Sequence, residues 1–378
     1  PPAAAQPARD WQRAPLVPNA VAPAVLSVRY SAQTVEAESY LGRRLAINHH
    51  TGLMKTFDAA DYLSSYGKKP RWPTGEYLGK FMQGLSVMHL HTGDPGSRDR
   101  LDEIIAGWNR VQAPDGWIGT AERFKSWDIW EHKYVLLGLL DYHALTGDAE
   151  ALAAARRIGE LFLATIGPDL GDINYSGHWA RGSASILEPM VYLYRFTGDA
   201  RFKGFCDYIV NSFESPTGPK LISVLTTGSR RVTDVEDTFA NRAAREVYWD
   251  RLKSGQIRNR SKGYEMLSCI IGLVRMHQLT GEARYLAVAR NAWDDISQNR
   301  LYLAGSSGAD ECFKDDHCLP AEHLDSPAEA CVTAHWMYLS RLLFELTGEL
   351  RYVDAVEISL FNYLLASQRP QDCHQSYN

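Results

Sequence analysis

Nowhere does the chain hold a run of some 18 apolar residues, so no stretch of it could cross a bilayer as a helix. Basic charge is not in surplus either. Forty Lys and Arg stand against 45 Asp and Glu, a net charge of −5, which offers no footprint for a nucleic-acid backbone. Cysteine is sparse: six in 378 residues, at 206, 269, 312, 318, 331 and 373, with no C-x-x-C pair. That excludes a disulfide scaffold and leaves the redox compartment open. With 45% apolar residues the chain can bury a large core, as one large domain or two ordinary ones. A soluble globular protein is expected, with no nucleic-acid or membrane partner.

Residues 1–30 are rich in Pro and Ala and have no period, so they are expected to form an extended arm on the surface. PPAAAQPARD has the look of a mature chain whose targeting peptide has been removed, which points to a secreted or periplasmic protein; a cloned fragment would begin the same way. Two N-x-S/T sequons, at Asn174 and Asn259, matter only on a eukaryotic secretory route.

One phrase recurs along the rest: HTGD at 91–94, LTGD at 145–148, FTGDARF at 196–202, LTGEARYL at 279–286 and LTGELRYV at 346–353. Each copy follows one amphipathic run and precedes another, so each reads as the turn of a helical hairpin. Glycine supplies the left-handed residue that ends the first helix, and the acidic residue caps or charges the second. The threonines are 54, 51, 83 and 67 residues apart, so one unit is about 50 residues and the third interval carries extra chain.

That extra chain, 214–262, contains LISVLTTGSRRVTDV, which reads as a short β-hairpin around a Gly turn. Five hairpins and a first helix near Val35 to Ile47 approach the twelve helices of an (α/α)6 toroid over residues 31–378. An open solenoid would show the same repeats. Closure is preferred because the long inserts fall opposite the TG turns, where a toroid gathers them around a cavity.

Aromatic and polar residues collect on that side, in WPTGEYLGK (72–80), PDGWIGTAERFKSWDIWEHKY (114–134) and SKGYEMLS (261–268). Trp117, Trp127, Trp130 and Tyr264 could stack on sugar faces, with Glu76, Asp128, His132 and Lys262 bonding hydroxyls. A carbohydrate groove is the expectation; packing of the rim is the plainer account of any single one of these residues.

The stretch from Glu311 to Cys331, ECFKDDHCLPAEHLDSPAEAC, concentrates carboxylates and three of the cysteines ahead of a helix. Ser326 can be its N-cap, Pro327 its first residue, and Glu329 the reciprocal member of a capping box. Cys331 then lies in the first turn, where exposed N–H groups favour a thiolate. Glu329 and Cys331 could share an ion there; equally, Glu329 caps the helix and Cys331 is a small buried residue. A rival set, Cys312, Cys318 and Cys331 with His317 or His323, has C-x5-C-x12-C spacing, uncommon for structural zinc, and Cys312 with Cys318 could form a disulfide.

From about residue 35 to the end, the order GEYLGK, DGWIGT, WEHKY, LEPMVYLYRFTGD, KGYEML, WDDI, DECF, EAC and LFNYLLASQ resembles glycoside hydrolase family 127, the β-L-arabinofuranosidases. The resemblance implies an (α/α)6 barrel followed by β-sandwich domains. It also implies zinc held by one glutamate and three cysteines, one of which attacks the anomeric carbon. A second glutamate protonates the leaving oxygen and later activates water, so configuration is retained. On this resemblance Glu329 and Cys331 match the zinc-binding E-x-C pair, Glu311 the acid/base, and His132 a substrate-contacting histidine. The family's other two ligands form an adjacent Cys-Cys pair, whereas here only Cys373 follows Cys331, and the segment from Glu311 to Glu329 is longer. The alternatives are a metal-free sugar epimerase or uronide hydrolase on the same barrel, and a glycan-binding toroid without catalysis.

Overall fold

All five TG turns are built alike, and the turn chemistry explains why. In each, the threonine hydroxyl bonds back into its own helix: Thr92 to the Met88 carbonyl at 2.7 Å, Thr146 to Tyr142 at 2.8 Å, and Thr197, Thr280 and Thr347 likewise. The glycines that follow (93, 147, 198, 281 and 348) have φ between 68° and 78°, open to a residue without Cβ, and each N–H closes the helix end at 2.7–2.8 Å. The next N–H, from Asp94, Asp148, Asp199, Glu282 or Glu349, then returns to the threonine hydroxyl. Three turns add a histidine three residues before the threonine: His89, His143 and His277 bond through Nδ1 to the carbonyls of Asp94, Asp148 and Glu282.

The computed structural model describes residues 14–25, 35–56, 58–64, 66, 74–119, 123–124, 127–174, 180–227, 230–235, 261–318 and 328–371. The turns join five helical hairpins: Thr74–Thr92 with Pro95–Val111, Asp128–Thr146 with Ala149–Thr165, Leu187–Thr197 with Ala200–Ser212, Gly263–Thr280 with Ala283–Asn299, and Ala330–Thr347 with Arg351–Ser359.

First helices pack against first helices and form an inner ring. Asp128–Thr146 and Gly263–Thr280 are buried almost throughout, charged residues such as Glu131, Lys133 and Glu265 included. Second helices bury one stripe and form the outer ring; in Ala149–Thr165 it is Ala151, Ala154, Ala155, Ile158 and Phe162. Gly79 lets the first two inner helices meet backbone to backbone, since a Cβ there would lie 2.2 Å from the Tyr134 carbonyl carbon.

Helix Tyr40–Ile47 packs against the last helical segment. The Arg44 guanidinium donates to the carbonyls of Leu365 and Gln368, each at 2.7 Å, and Tyr40 stacks on Phe361. The chain is thus an all-α (α/α)6 toroid. Part of the N-terminal segment crosses its turn face: Val17, Val21 and Val25 donate backbone N–H to Arg195, Gln278 and Glu345 at 2.9, 3.0 and 3.2 Å. Each acceptor lies two residues before its threonine, on three successive inner helices.

The β-hairpin expected within 214–262 is not formed by its described residues. Leu221–Thr227 is a helix and Val232–Asp234 a 3-10 turn, while 236–260 lie outside the described residues. Sequence propensity failed because the helix is capped from a distance: Glu214 Oε1 accepts the N–H groups of Ile222 and Ser223 at 2.8 and 3.2 Å. The paired strands that are described, Ser261–Lys262 (β1) and Cys312–Phe313 (β2), run antiparallel with Lys262 opposite Cys312. Asn174 is buried, and its amide donates to the Ser212 carbonyl at 3.0 Å, so this sequon is a packing residue; Asn259 lies outside the described residues.

Candidate functional site

Opposite the TG turns, the first turns of four inner helices converge. Helix Ala330–Thr347 has Glu329 as its N-cap, so the capping box expected from Ser326 does not start it; Ser326 and Pro327 lie outside the described residues. Glu329 is fixed by its backbone, its N–H to the Ser307 carbonyl at 3.0 Å and its carbonyl accepting from Thr333. Its carboxylate and the Cys331 thiol lie within electrostatic reach of each other and of Tyr363, whose buried hydroxyl has no partner among the described residues.

The thiol differs from expectation. Burial first, and then the carboxylates of Glu329, Glu76 and Glu265, push Cys331 up to about 12, while Lys80 pulls the other way. A helix N-terminus contributes about 0.3–1 kcal/mol, too little to ionise a buried thiol among carboxylates. A divalent cation would reverse that balance. A carboxylate, a thiol and a hydroxyl without a partner among the described residues, all within electrostatic reach of one another, suit a cation. Tetrahedral zinc takes four ligands, however, and the described residues gather no group of three or more His, Cys, Asp or Glu side chains able to hold one. Glu329 and Cys331 therefore fit as a partial ligand set. Cys312 is buried on β2 and Cys318 is exposed, with no disulfide between them.

Glu311 closes a 3-10 turn, Ala309–Glu311, entered through Gly308 in the left-handed region. Glu311 itself has φ 64°, unusual for a residue with a long side chain, and strain of this kind gathers at functional sites. Its carboxylate is ion-paired with Lys262, whose Nζ also lies 3.6 Å from Glu265 Oε1. Glu265 in turn lies within electrostatic reach of Cys331, which couples Glu311 to the E-x-C pair.

Around it stand aromatic rings and two more lysines. The Tyr134 and Tyr264 hydroxyls meet in a hydrogen bond, and Lys80, ion-paired with Glu76, lies 4.8 and 5.0 Å from their ring centroids. Trp130 packs edge-on to Tyr264 at 4.9 Å and to Trp127 at 5.8 Å. Lys133 is buried 4.4 Å from the Trp130 ring, and burial lowers it to about 8. His335 packs on Tyr264 at 4.4 Å and is kept neutral by burial and by Lys133 and Lys80.

Thus Glu76, Trp127, Trp130, Lys262, Tyr264, Glu311, Glu329 and Cys331 belong to one cluster, with Glu76, Glu329, Trp130 and Tyr264 almost wholly buried in it. Asp128 and His132 are not brought there. Both are fully buried and bonded within the protein: Asp128 accepts from Trp117 Nε1 at 3.2 Å and the Phe124 N–H at 2.8 Å. His132 Nδ1 donates to the Asp128 carbonyl at 2.7 Å and Nε2 accepts the Ile118 N–H at 3.3 Å. No ring nitrogen is left for a hydroxyl, so this pair holds the 113–119 loop instead. Lys80, Lys133, Tyr134, Glu265, His335 and Tyr363 were missed by the sequence reading. The i, i+4 spacing of Glu76–Lys80 and Cys331–His335 could have found two of them.

The ring of helical hairpins is an (α/α)6 toroid, and these carboxylates, lysines and aromatic rings lie at the end opposite its TG turns. Residues 33–378 match the family description "Beta-L-arabinofuranosidase, GH127 catalytic domain", and the chain belongs to that family. It is 22% identical over 309 residues to the non-reducing end β-L-arabinofuranosidase of Bifidobacterium longum subsp. longum, covering 76% of this chain and 45% of that one. It is similar in structure to a GH127 β-L-arabinofuranosidase from Geobacillus stearothermophilus T6, with TM-score 0.65, 15% identity, and coverage of 90% of this chain and 57% of that. Cellobiose 2-epimerase from Spirochaeta thermophila shares the fold at 11% identity and TM-score 0.55, with 90% of each chain covered. The chain spans about half the length of the arabinofuranosidases it matches.

Proposed function

We propose that the protein is a retaining glycoside hydrolase acting on a β-L-arabinofuranoside or a related glycan. The observation that supports this is the coupling of Glu311, Glu329 and Cys331 through Lys262 and Glu265, at the helix starts opposite the TG turns. Glu311 acts as the acid that protonates the leaving oxygen and then as the base that takes a proton from water. Glu76 and Lys262 are placed to bond sugar hydroxyls, with Trp127 as the half-buried ring beside them. Glu329 and Cys331 would hold a zinc ion, the remaining ligands coming from outside the described residues. When bound, that ion keeps a coordinating thiol deprotonated and tempers its charge, so that sulfur can attack carbon and also leave.

An aryl β-L-arabinofuranoside assay on the parent and on Glu311→Gln tests the reading. Turnover is expected to fall roughly 10²–10⁴-fold in the variant, with an unchanged circular dichroism spectrum. Parent-like turnover would remove Glu311 from the acid/base role.

A further inference from the structure

The two-residue pairing of β1 with β2 is too short to contribute much stability by itself. Its effect is positional. Lys262 is set opposite Cys312, so the residue before Cys312, the strained Glu311, is pinned beside the Lys262 ammonium. The same ammonium lies 3.6 Å from Glu265 Oε1, and the Trp127 ring lies 5.6 Å from it. One cation is therefore shared by two carboxylates that approach it from different elements, a turn and the inner helix Gly263–Thr280.

A glycosidase acid/base has conflicting needs. It must hold a proton before the first step and be a carboxylate before the second. A cation fixed against it would favour the carboxylate at both stages, depressing its pKa by about 1–3 units. A cation with a second carboxylate in reach need not be fixed.

We propose that Lys262 is a movable counter-ion of Glu311, resting on Glu265 while Glu311 holds its proton and closing onto Glu311 once that proton has left. The inference rests on Glu311 being the acid/base. In the first step the O–H bond of the Glu311 carboxyl breaks, its electron pair stays on the carboxylate, and the proton bonds to the leaving glycosidic oxygen. In the second step Glu311 takes a proton from the incoming water. Lys262 keeps its own protons throughout: burial opposes its charge, yet Glu265 and Glu311 hold its pKa above the ordinary lysine value. The groups that face it are Glu265, Glu311 and the Cys312 thiol, with Cys331, Glu76 and Lys80 beyond Glu265. Lys262 acts through Glu311, as a positioning residue.

The test is the titration of Glu311 in the whole chain, followed by NMR of carbon-13 in the glutamate side chains, with Glu311→Gln to assign the signal. In Lys262→Met the Glu311 midpoint is expected to rise by about one pH unit or more. In Lys262→Arg it stays near the parent value, and in Glu265→Gln it falls, because the Glu265 carboxylate no longer competes for the cation. The alkaline limb of kcat/KM for an aryl arabinofuranoside should rise with the midpoint in Lys262→Met. An unmoved midpoint in Lys262→Met, or a raised one in Glu265→Gln, overturns the proposal; so does a higher KM with an unshifted pH profile, which would make Lys262 a sugar contact only. If Lys262→Met does not fold, Glu265→Gln and Lys262→Arg decide alone. Full turnover in Glu311→Gln refutes the acid/base reading itself, whereas an inactive Glu311→Gln with an unmoved midpoint in Lys262→Met refutes only the counter-ion.

Discussion

Tyr338 donates its hydroxyl proton to Glu188 Oε1 at 2.7 Å, joining the fifth hairpin to the third across the ring. Arg275 of the fourth hairpin completes the junction, bonding the Tyr338 hydroxyl, Glu188 at 3.3 Å and Gln278 at 2.9 Å. Three inner helices are thus tied by groups largely withdrawn from water, where a satisfied network holds a unique arrangement.

Tyr338→Phe removes one donor and one acceptor from that junction while keeping the ring. It is expected to cost about 1–3 kcal/mol of stability in urea unfolding, because Glu188 and Arg275 each lose a partner. A variant as stable as the parent would show that solvent within the ring satisfies both.

Asp141 gives the pH dependence its sign. Burial first, with Glu188 adding to it and Gln83 and Arg275 opposing it, raises this carboxyl to about 7. The folded state therefore holds a proton that the unfolded chain gives up near pH 4, and stability falls as pH rises between those values. Asp141→Asn, which can still accept from Gln83, is expected to melt above the parent at pH 8, with the gap closing towards pH 4. Parallel melting curves across that range would mean that Asp141 ionises freely in the folded protein.

Metal content separates the two accounts of the E-x-C pair. Zinc measured by elemental analysis on purified protein is expected to drop in Cys331→Ser and in Glu329→Gln, while Cys318→Ser, which alters an exposed thiol, retains it. Equal zinc in all three would return Cys331 to the role of a small side chain packed under the mouth.

What could be read in the sequence was local. The TG turns were legible because threonine, glycine and the acidic residue satisfy one another within a few positions, and five copies mark a repeat of helical hairpins, open or closed. Glu329 and Cys331 were picked out by an expected helix start, on a capping box that does not open the helix, and the role of Glu311 could be named only through the order of short phrases shared with a family. The bonds that Asp128 and His132 make to Trp117, Phe124 and Ile118 could not be foreseen, because nothing local says that the start of an inner helix will be sealed in this way. Leu221–Thr227 was misread for the same reason, its cap coming from Glu214. Glu265, Lys133 and Tyr363 acquire meaning only through neighbours on other hairpins.

The segment bearing Val17, Val21 and Val25 touches the ring with one amide every fourth residue, matching one carbonyl per hairpin. It behaves as a graduated rule laid over the repeat. Hairpins three to five must therefore keep their mutual pitch or forfeit these bonds together, and tolerance for inserted chain should be found at the other face.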